Sequence, residues 1–334
     1  MLQEIFTFGV LLFFYTIIFQ NKEKLSKFLK LVDHPDNKRK IHTKPTPLIG
    51  GMIIILIIVI NFYNFKNFLP EKELLILFSL ILIYFIVGLV DDIKGLSSYF
   101  RLCFLFIITY FLLNLSELFV LRDLTFDFKN LNYELGSLSV FISTLCILLL
   151  VNALNLSDGI NGLSTTLIIF WFIYIKFFLF KDFSYLGNSS LIILIMVFYN
   201  IYKGQFFMGD YGVTVAALVV GLMSIVSYNI QENIINKIFV EEIFLLFFVS
   251  GLDMFRLFLE RILKKKDPFS ADKNHLHHIL IKKFNLRLSL IFYLLISFTP
   301  ILLYKIFSVN TLILILVYTF LYFLIFSIKI KKYF

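Results

Sequence analysis

Cysteine is nearly absent: Cys103 and Cys146 are the only two in 334 residues. Both sit in apolar runs, at a spacing that fits neither a zinc site nor a disulfide framework, so both read as small hydrophobes. Charge is also scarce, at 16% of the chain against 60% apolar residues. Mean hydropathy is +0.90. No soluble domain of this length is so apolar throughout, which leaves an integral membrane protein. The N-terminal stretch MLQEIFTFGVLLFFYTIIFQ lacks a basic start and a small-residue cleavage site, and is expected to be a retained anchor. Protein-kinase, nuclease and nucleic-acid-binding patterns are missing as well. The net charge of +9 is therefore assigned to loops that set orientation and meet anionic lipid or phosphate, with no nucleic-acid partner.

What is present is a series of apolar runs. A membrane-spanning helix needs about 20 mostly apolar residues, and the chain offers roughly eleven candidates. They lie near 2–20, 48–64, 74–90, 102–119, 137–153, 162–181, 189–203, 211–229, 239–260, 287–305 and 309–328. The expected fold is all-α: one polytopic membrane domain over 1–334, without an internal repeat. With the N-terminus outside, the loops near 21–47, 91–101, 152–162, 204–210 and 261–286 share one face with the C-terminal tail. That face carries about 22 Lys and Arg against about 7 opposite, and is therefore expected to be cytoplasmic.

The same face gathers every polar cluster. Carboxylates, amides, cations and histidines are expensive in hydrocarbon, so their convergence marks a site. Asp91 and Asp92 follow an apolar helix directly and could bind a cation or act as a base. Helix neighbours diverge by about 100°, so a solvated helix end is an equal reading for the pair alone. In NALNLSDGING, Asn152 and Asn155 share a helical face, and Asp158 and Asn161 follow at the same interval beside Gly159 and Gly162. Their amide oxygens suit a hard cation or a base edge. Asp210, closing FFMGD, suits Mg²⁺ beside phosphate. Asp253, Arg256 and Glu260 occupy one face of the ninth predicted helix, where a structural ion pair competes with a functional surface. His275, His277 and His278 lie in a basic loop at a spacing unlike a zinc pair, which favours anion or nucleotide contact. Arg39, Lys40, His42 and Lys44 precede Pro45 and Pro47, which stiffen the chain before the second span. The inventory describes phosphoryl-group chemistry at a membrane, where metal and cationic side chains bring two anions together.

At these residues the chain resembles the polyprenyl-phosphate N-acetylhexosamine-1-phosphate transferases (glycosyltransferase family 4). VDDIKGLS, NALNLSDGINGL, FFMGD and PFSADKNHLHHIL occur in family order over nearly the whole chain. The resemblance implies transfer of a sugar-1-phosphate from a UDP-N-acetylhexosamine to undecaprenyl phosphate, releasing UMP. It implies a bacterial inner membrane location, with the active site facing the cytoplasm. Catalytic roles fall on Asp91, Asp92 and Asp158, with Asp92 the candidate to activate the lipid phosphate. Asn155 and Asp210 match the Mg²⁺ ligands, with Mn²⁺ as an alternative ion. Lys40, His42, Arg101, Asn161, Arg261, His275, His277 and His278 match substrate-binding positions. A homodimer is a possible assembly. Asn161 stands where many bacterial members carry Asp, which excludes a carboxylate there, and Tyr211, Gly212 and Val213 replace the usual Ala-Gly-Ser. The ADKNHLHH form resembles the GlcNAc-type branch; the alternative is the phospho-MurNAc-pentapeptide transferase branch. Readings from other classes are an ion-coupled transporter, which would place acidic residues near mid-membrane, and an inactive relative that only binds lipid carrier.

Overall fold

The computed structural model describes residues 2–35, 44–61, 65–66, 69–128, 131–179, 187–230, 237–270 and 274–327. Each of the eleven apolar stretches falls on a helix. Four helical segments are long and apolar enough to cross a membrane: Glu71–Lys94, Gly136–Ser157, Asp210–Asn229 and Leu286–Phe307. A bent pair at the N-terminus makes a fifth if counted as one span. The chain is a helical, membrane-embedded protein. Among the described residues, two short antiparallel strand pairs depart from all-α.

Contacts divide the chain into two compact units, residues 1–122 with 136–230, and residues 123–135 with 231–334. In the first, α1 (Leu2–Gln20) bends by 73° into α2 (Lys22–Leu29). The loop expected over 21–47 thus contains a helix. Strands β1 (Val32–Asp33) and β2 (Thr46–Pro47) pair antiparallel, with Val32 opposite Pro47. Then come α3 (Gly50–Ile60), α4 (Glu71–Lys94), α5 (Ser98–Leu113), α6 (Ser139–Ser157), α7 (Leu163–Tyr174), α8 (Asn188–Tyr202) and α9 (Asp210–Asn229).

Helix α9 is the axis of this unit. Every residue from Tyr211 to Tyr228 is buried, and the helix packs chiefly on α4 and α6, with α3 and α7 beside them. Its Val, Ala, Gly and Ser side chains let neighbouring backbones come close, as helices in lipid require. The segment before α9 is zipped to the segment before α3. Phe207 N–H donates to Pro47 C=O at 2.8 Å, Gly50 N–H to Phe207 C=O at 2.9 Å and Gly51 N–H to Met208 C=O at 2.8 Å. Two polar clusters far apart in sequence are thereby held in one register.

The second unit holds β3 (Asp123–Phe126) and β4 (Leu131–Glu134), an antiparallel pair, with α10 (Val240–Leu263), α11 (Leu276–Lys283), α12 (Leu286–Phe307) and α13 (Thr311–Ser327). α10 is long enough to span, but it carries Glu241, Glu242, Asp253, Arg256, Glu260 and Arg261 and is not among the apolar spans. Glu241 and Glu242 stand at its first turn and Arg261 at its last, with Asp253 and Arg256 between them past the middle.

Candidate active site

Four helix ends meet in the first unit: the C-terminal ends of α4 and α6 and the N-terminal ends of α5 and α9. The acidic pair closes α4, and its members do different things. Asp91 Oδ1 accepts from Leu96 N–H at 2.6 Å, fixing the turn that leaves the helix. Its other oxygen is ion-paired to Arg101. Arg101 stands in the first turn of α5, where Ser97 caps the helix by accepting from Phe100 N–H at 3.2 Å. The same guanidinium nitrogen reaches Asp210 Oδ2 at 3.3 Å.

Asp92 serves α9. The residue before that helix is Gly209, at φ +77° and without a side chain to cap the free N–H groups. Asp92 supplies the acceptors from α4: Asp210 N–H donates to Oδ1 at 3.0 Å and Tyr211 N–H to Oδ2 at 3.2 Å. A carboxylate is the favoured partner for a helix N-terminus, whose orphan donors and dipole both attract negative charge. Asp92 therefore fixes where Asp210 stands.

From α6, Asn155 Nδ2 donates to Asp210 Oδ1 at 2.9 Å. Asn152, one turn earlier, instead turns back onto Leu148 C=O at 2.7 Å, so only one of the two shared-face amides joins the site. Asp210 keeps 35% of its side-chain surface open, which leaves it able to meet a ligand. Asp158 caps the end of α6 and accepts from Ser164 Oγ. Burial, against that hydrogen bond and with the like charges of Asp210 and Asp33, pushes its carboxyl up to about 7. Asn161 lies on the following turn beside Gly204, whose Cβ, were there one, would sit 3.4 Å from Asn161 Nδ2. Lys40 and His42 lie outside the described residues.

These residues offer oxygen to a metal. The described residues hold no group of three His, Cys, Asp or Glu that could bind an ion by themselves. The set at Asp210 is one carboxylate and the Asn155 carboxamide, whose O and N exchange by a simple flip. Mg²⁺ takes one or two protein oxygens when substrate phosphates complete its shell. The donor set fits Mg²⁺ bound together with a phosphorylated substrate, and does not fit an all-protein cage.

In the second unit, Asp253 organises the histidine loop. Its Oδ2 meets His275 Nδ1 at 2.9 Å, and its Oδ1 accepts from Leu276 N–H at 3.0 Å and from Tyr322 OH at 2.5 Å. Arg256 donates to Tyr322 OH at 2.6 Å, to Glu260 at 2.8 Å and to Asn274 C=O at 2.5 Å. The ion-pair reading of Arg256 and Glu260 holds. Arg261 donates to Pro268 C=O at 2.7 Å, bracing the loop that leads to the histidines.

The His275 and His277 rings stack at 5.5 Å, and the His277 and His278 rings lie 4.2 Å apart. His277 is buried, and among the described residues neither ring nitrogen finds a hydrogen-bond partner. Burial, together with His278 and His275 and against Asp253, holds it well below the ordinary 6.5. A histidine held neutral when folded is protonated more readily when unfolded. Stability is then fully present above the unfolded value and lost as pH falls through it. The melting temperature should drop below about pH 6.5, and His277→Phe should flatten that slope by up to about 1.4 kcal/mol per pH unit. An unchanged acid slope in the variant would assign the loss to other groups.

Three contributors were not anticipated from the sequence. Ser164 holds Asp158 across a glycine-bearing turn, six residues on. Tyr211 OH donates to Leu48 C=O at 3.0 Å, locking α9 to the strand before α3. Tyr322, in the last helix, joins Arg256 to Asp253. Only the first carried a local signal, a hydroxyl close in sequence to a carboxylate.

The model of glycosyl transferase family 4 matches residues 74–228, which include Asp91, Asp92, Arg101, Asn155, Asp158 and Asp210. Over 292 residues the chain is 26% identical to the undecaprenyl-phosphate alpha-N-acetylglucosaminyl 1-phosphate transferase of Escherichia coli K12, covering 84% of this chain and 75% of that protein. The Salmonella typhi protein of the same name is 26% identical over 282 residues, covering 80% of this chain and 74% of its own. The phospho-N-acetylmuramoyl-pentapeptide-transferase of Dictyoglomus thermophilum is 28% identical over 286 residues, covering 80% of this chain and 84% of its own. Residues 74–228, which carry the acidic pair, the Asn155–Asp210 contact and the bridging arginine, thus match glycosyl transferase family 4, and over most of its length the chain is similar to sugar-phosphate transferases.

Proposed function

We propose that the protein transfers GlcNAc-1-phosphate from UDP-GlcNAc to undecaprenyl phosphate, giving undecaprenyl-diphospho-GlcNAc and UMP on the cytoplasmic side of a bacterial inner membrane. The observation that carries this reading is the Arg101–Asp210–Asn155 contact at four converging helix ends. A lipid phosphate oxygen attacks the phosphorus that bears the sugar. The bond from that phosphorus to the bridging oxygen breaks, and UMP leaves with that oxygen and its electron pair. Asp210 and Asn155 would hold Mg²⁺, which when bound neutralises diphosphate charge. Arg101, oriented by Asp91, faces the departing phosphate and stabilises its charge. Asp92 holds the acceptor proton in addition to capping α9. Asp158 and Asn161, on the turn that closes α6, bind the nucleotide.

The likeness to the Dictyoglomus thermophilum protein supports a second donor, a UDP-linked muramoyl pentapeptide. The test is a detergent assay with undecaprenyl phosphate and each donor, following UMP and the lipid product. UDP-GlcNAc should give lipid-dependent UMP release that chelation abolishes and Mg²⁺ restores. Turnover only with the pentapeptide donor would replace the substrate. No turnover with either donor, from folded protein, would favour the inactive carrier-binding relative. Exchange of labelled UMP into UDP-GlcNAc without lipid would overturn direct displacement.

A further inference from the structure

The second unit contains a cavity of about 860 Å³ that the transferase site does not use. It lies where α10 begins and α12 ends, lined also by β3 and the turn before α13. Asp253 and Glu260, by contrast, lie toward the other end of α10. Glu260 is 19 residues beyond Glu241, about 28 Å along the helix. Because α12 is an apolar span, the cavity at its end stands at the level where hydrocarbon gives way to water.

Its charges are unevenly matched. Glu242 is buried and neutralised by Lys305 at 2.7 Å. Glu241 is buried too, but its oxygens hold the N–H groups of Asp127 and Phe128 at 3.2 and 3.3 Å. Those dipoles leave its charge in place. Asp127 is exposed on the same wall. The Tyr304 ring adds a π face beside these three carboxylates. A buried carboxylate, an exposed one and an aromatic face form a seat for an ammonium group, which combines ionic hydrogen bonds with cation–π attraction. One further cation lies on the rim: Lys237 is exposed, with its ammonium 5.6 Å from the Phe239 ring. It stands where an attached phosphate would be met. Beyond it, Phe244 and Leu312 line the cavity and remain 49% and 50% exposed, offering apolar surface to acyl chains.

We propose that this cavity binds the headgroup of an aminophospholipid, with the ammonium against Asp127, Glu241 and Tyr304 and the phosphate on Lys237. Among the described lining residues, three carboxylates (Asp127, Glu241, Glu242) face two cations (Lys237, Lys305), and the balance is negative. The cavity therefore accepts a zwitterionic headgroup and disfavours one that is only anionic. The site needs no metal and is independent of the transferase reading.

Native mass spectrometry of the whole detergent-purified protein, offered equal phosphatidylethanolamine and phosphatidylglycerol, tests it. Wild type should retain the ethanolamine lipid about fivefold over the glycerol lipid, the value of one favourable ammonium contact. Asp127→Asn changes an exposed side chain and Tyr304→Leu removes the ring at a half-buried position, so both should fold; together they should bring the ratio near one. Soluble phosphoethanolamine at the same concentration should not displace the lipid. Equal retention of the two lipids by wild type, an undiminished ratio in the double variant, or displacement by the soluble amine would each overturn the proposal. UMP release by the same variants should match wild type, which separates this site from the transferase chemistry.

Discussion

Asp210→Asn should lower lipid-dependent UMP release by about 10³-fold while leaving the melting temperature unchanged or raised. The two outcomes have one cause. Asp91, Asp92 and Asp210 bring three carboxylates to one place, and the guanidinium that bridges two of them is Arg101. Such crowding of like charge is held for function and opposes folding. Asparagine keeps the shape and the backbone of the first turn of α9, so Thr214 Oγ can still donate to the residue 210 carbonyl and Asp92 can still cap the helix. It loses the charge that pairs with Arg101 and that would attract a cation. Activity above one tenth of wild type would remove Asp210 from the chemistry. A collapse of the melting temperature would show that the carboxylate is structural. Asp92→Asn is the informative companion: an amide oxygen can still accept one of the two N–H groups, whereas an amide cannot take a proton.

Much of this was legible because it is written in polarity. A chain so apolar declares its polar residues, and Asp91, Asp92, Arg101, Asn155 and Asp210 all belong to clusters that interrupt apolar runs. The arrangement within the clusters was not legible. Helix spacing left open whether Asp91 and Asp92 face one site; they reach Asp210 by different routes, one through Arg101 and one through the α9 backbone. Asn152 and Asn155 look equivalent on a helical face, yet one bonds its own helix and the other bonds Asp210. Tyr211 read as a departure at the start of a helix. Its role is a contact to Leu48, 163 residues away in sequence, which no local pattern encodes. The eighth predicted span reads as one more apolar run, and packing shows that it is wholly enclosed. The charges of α10 were visible, but their division between a histidine loop and a distant cavity depends on which end each one occupies.

Gly88→Ala should destabilise the protein by about 2–4 kcal/mol and reduce turnover with it, although alanine is the better helix former. A Cβ at Gly88 would lie 2.4 Å from Tyr211 Cα and 2.7 Å from Tyr211 N. Those atoms are backbone and cannot rotate aside. α4 and α9 cross here main chain to main chain. On the next residue of α9, about 100° round the helix, Gly51 of α3 approaches Gly212 Cα so closely that its Cβ would lie at 2.7 Å. α9 therefore meets both α3 and α4 backbone to backbone at its first turn. Alanine gains about 1 kcal/mol in helix propensity, but forcing apart a close-packed crossing costs roughly 1–3 kcal/mol or more. A second loss follows from geometry. Asp92 is one turn beyond Gly88 on the same face of α4, so separation at Gly88 draws Asp92 away from the Asp210 and Tyr211 N–H groups. Charge-assisted bonds of that kind contribute about 1.5–3 kcal/mol. Gly251→Ala is the control. Gly251 lies inside α10 with nothing within 4 Å of its Cβ position, so the same substitution should hold or raise the melting temperature. If Gly88→Ala melts like Gly251→Ala, α9 can shift, and the tight crossing does not hold Asp210 in place. If Gly88→Ala melts lower and loses turnover to the same degree as Asp92→Ala, the crossing and the cap act on Asp210 as one device.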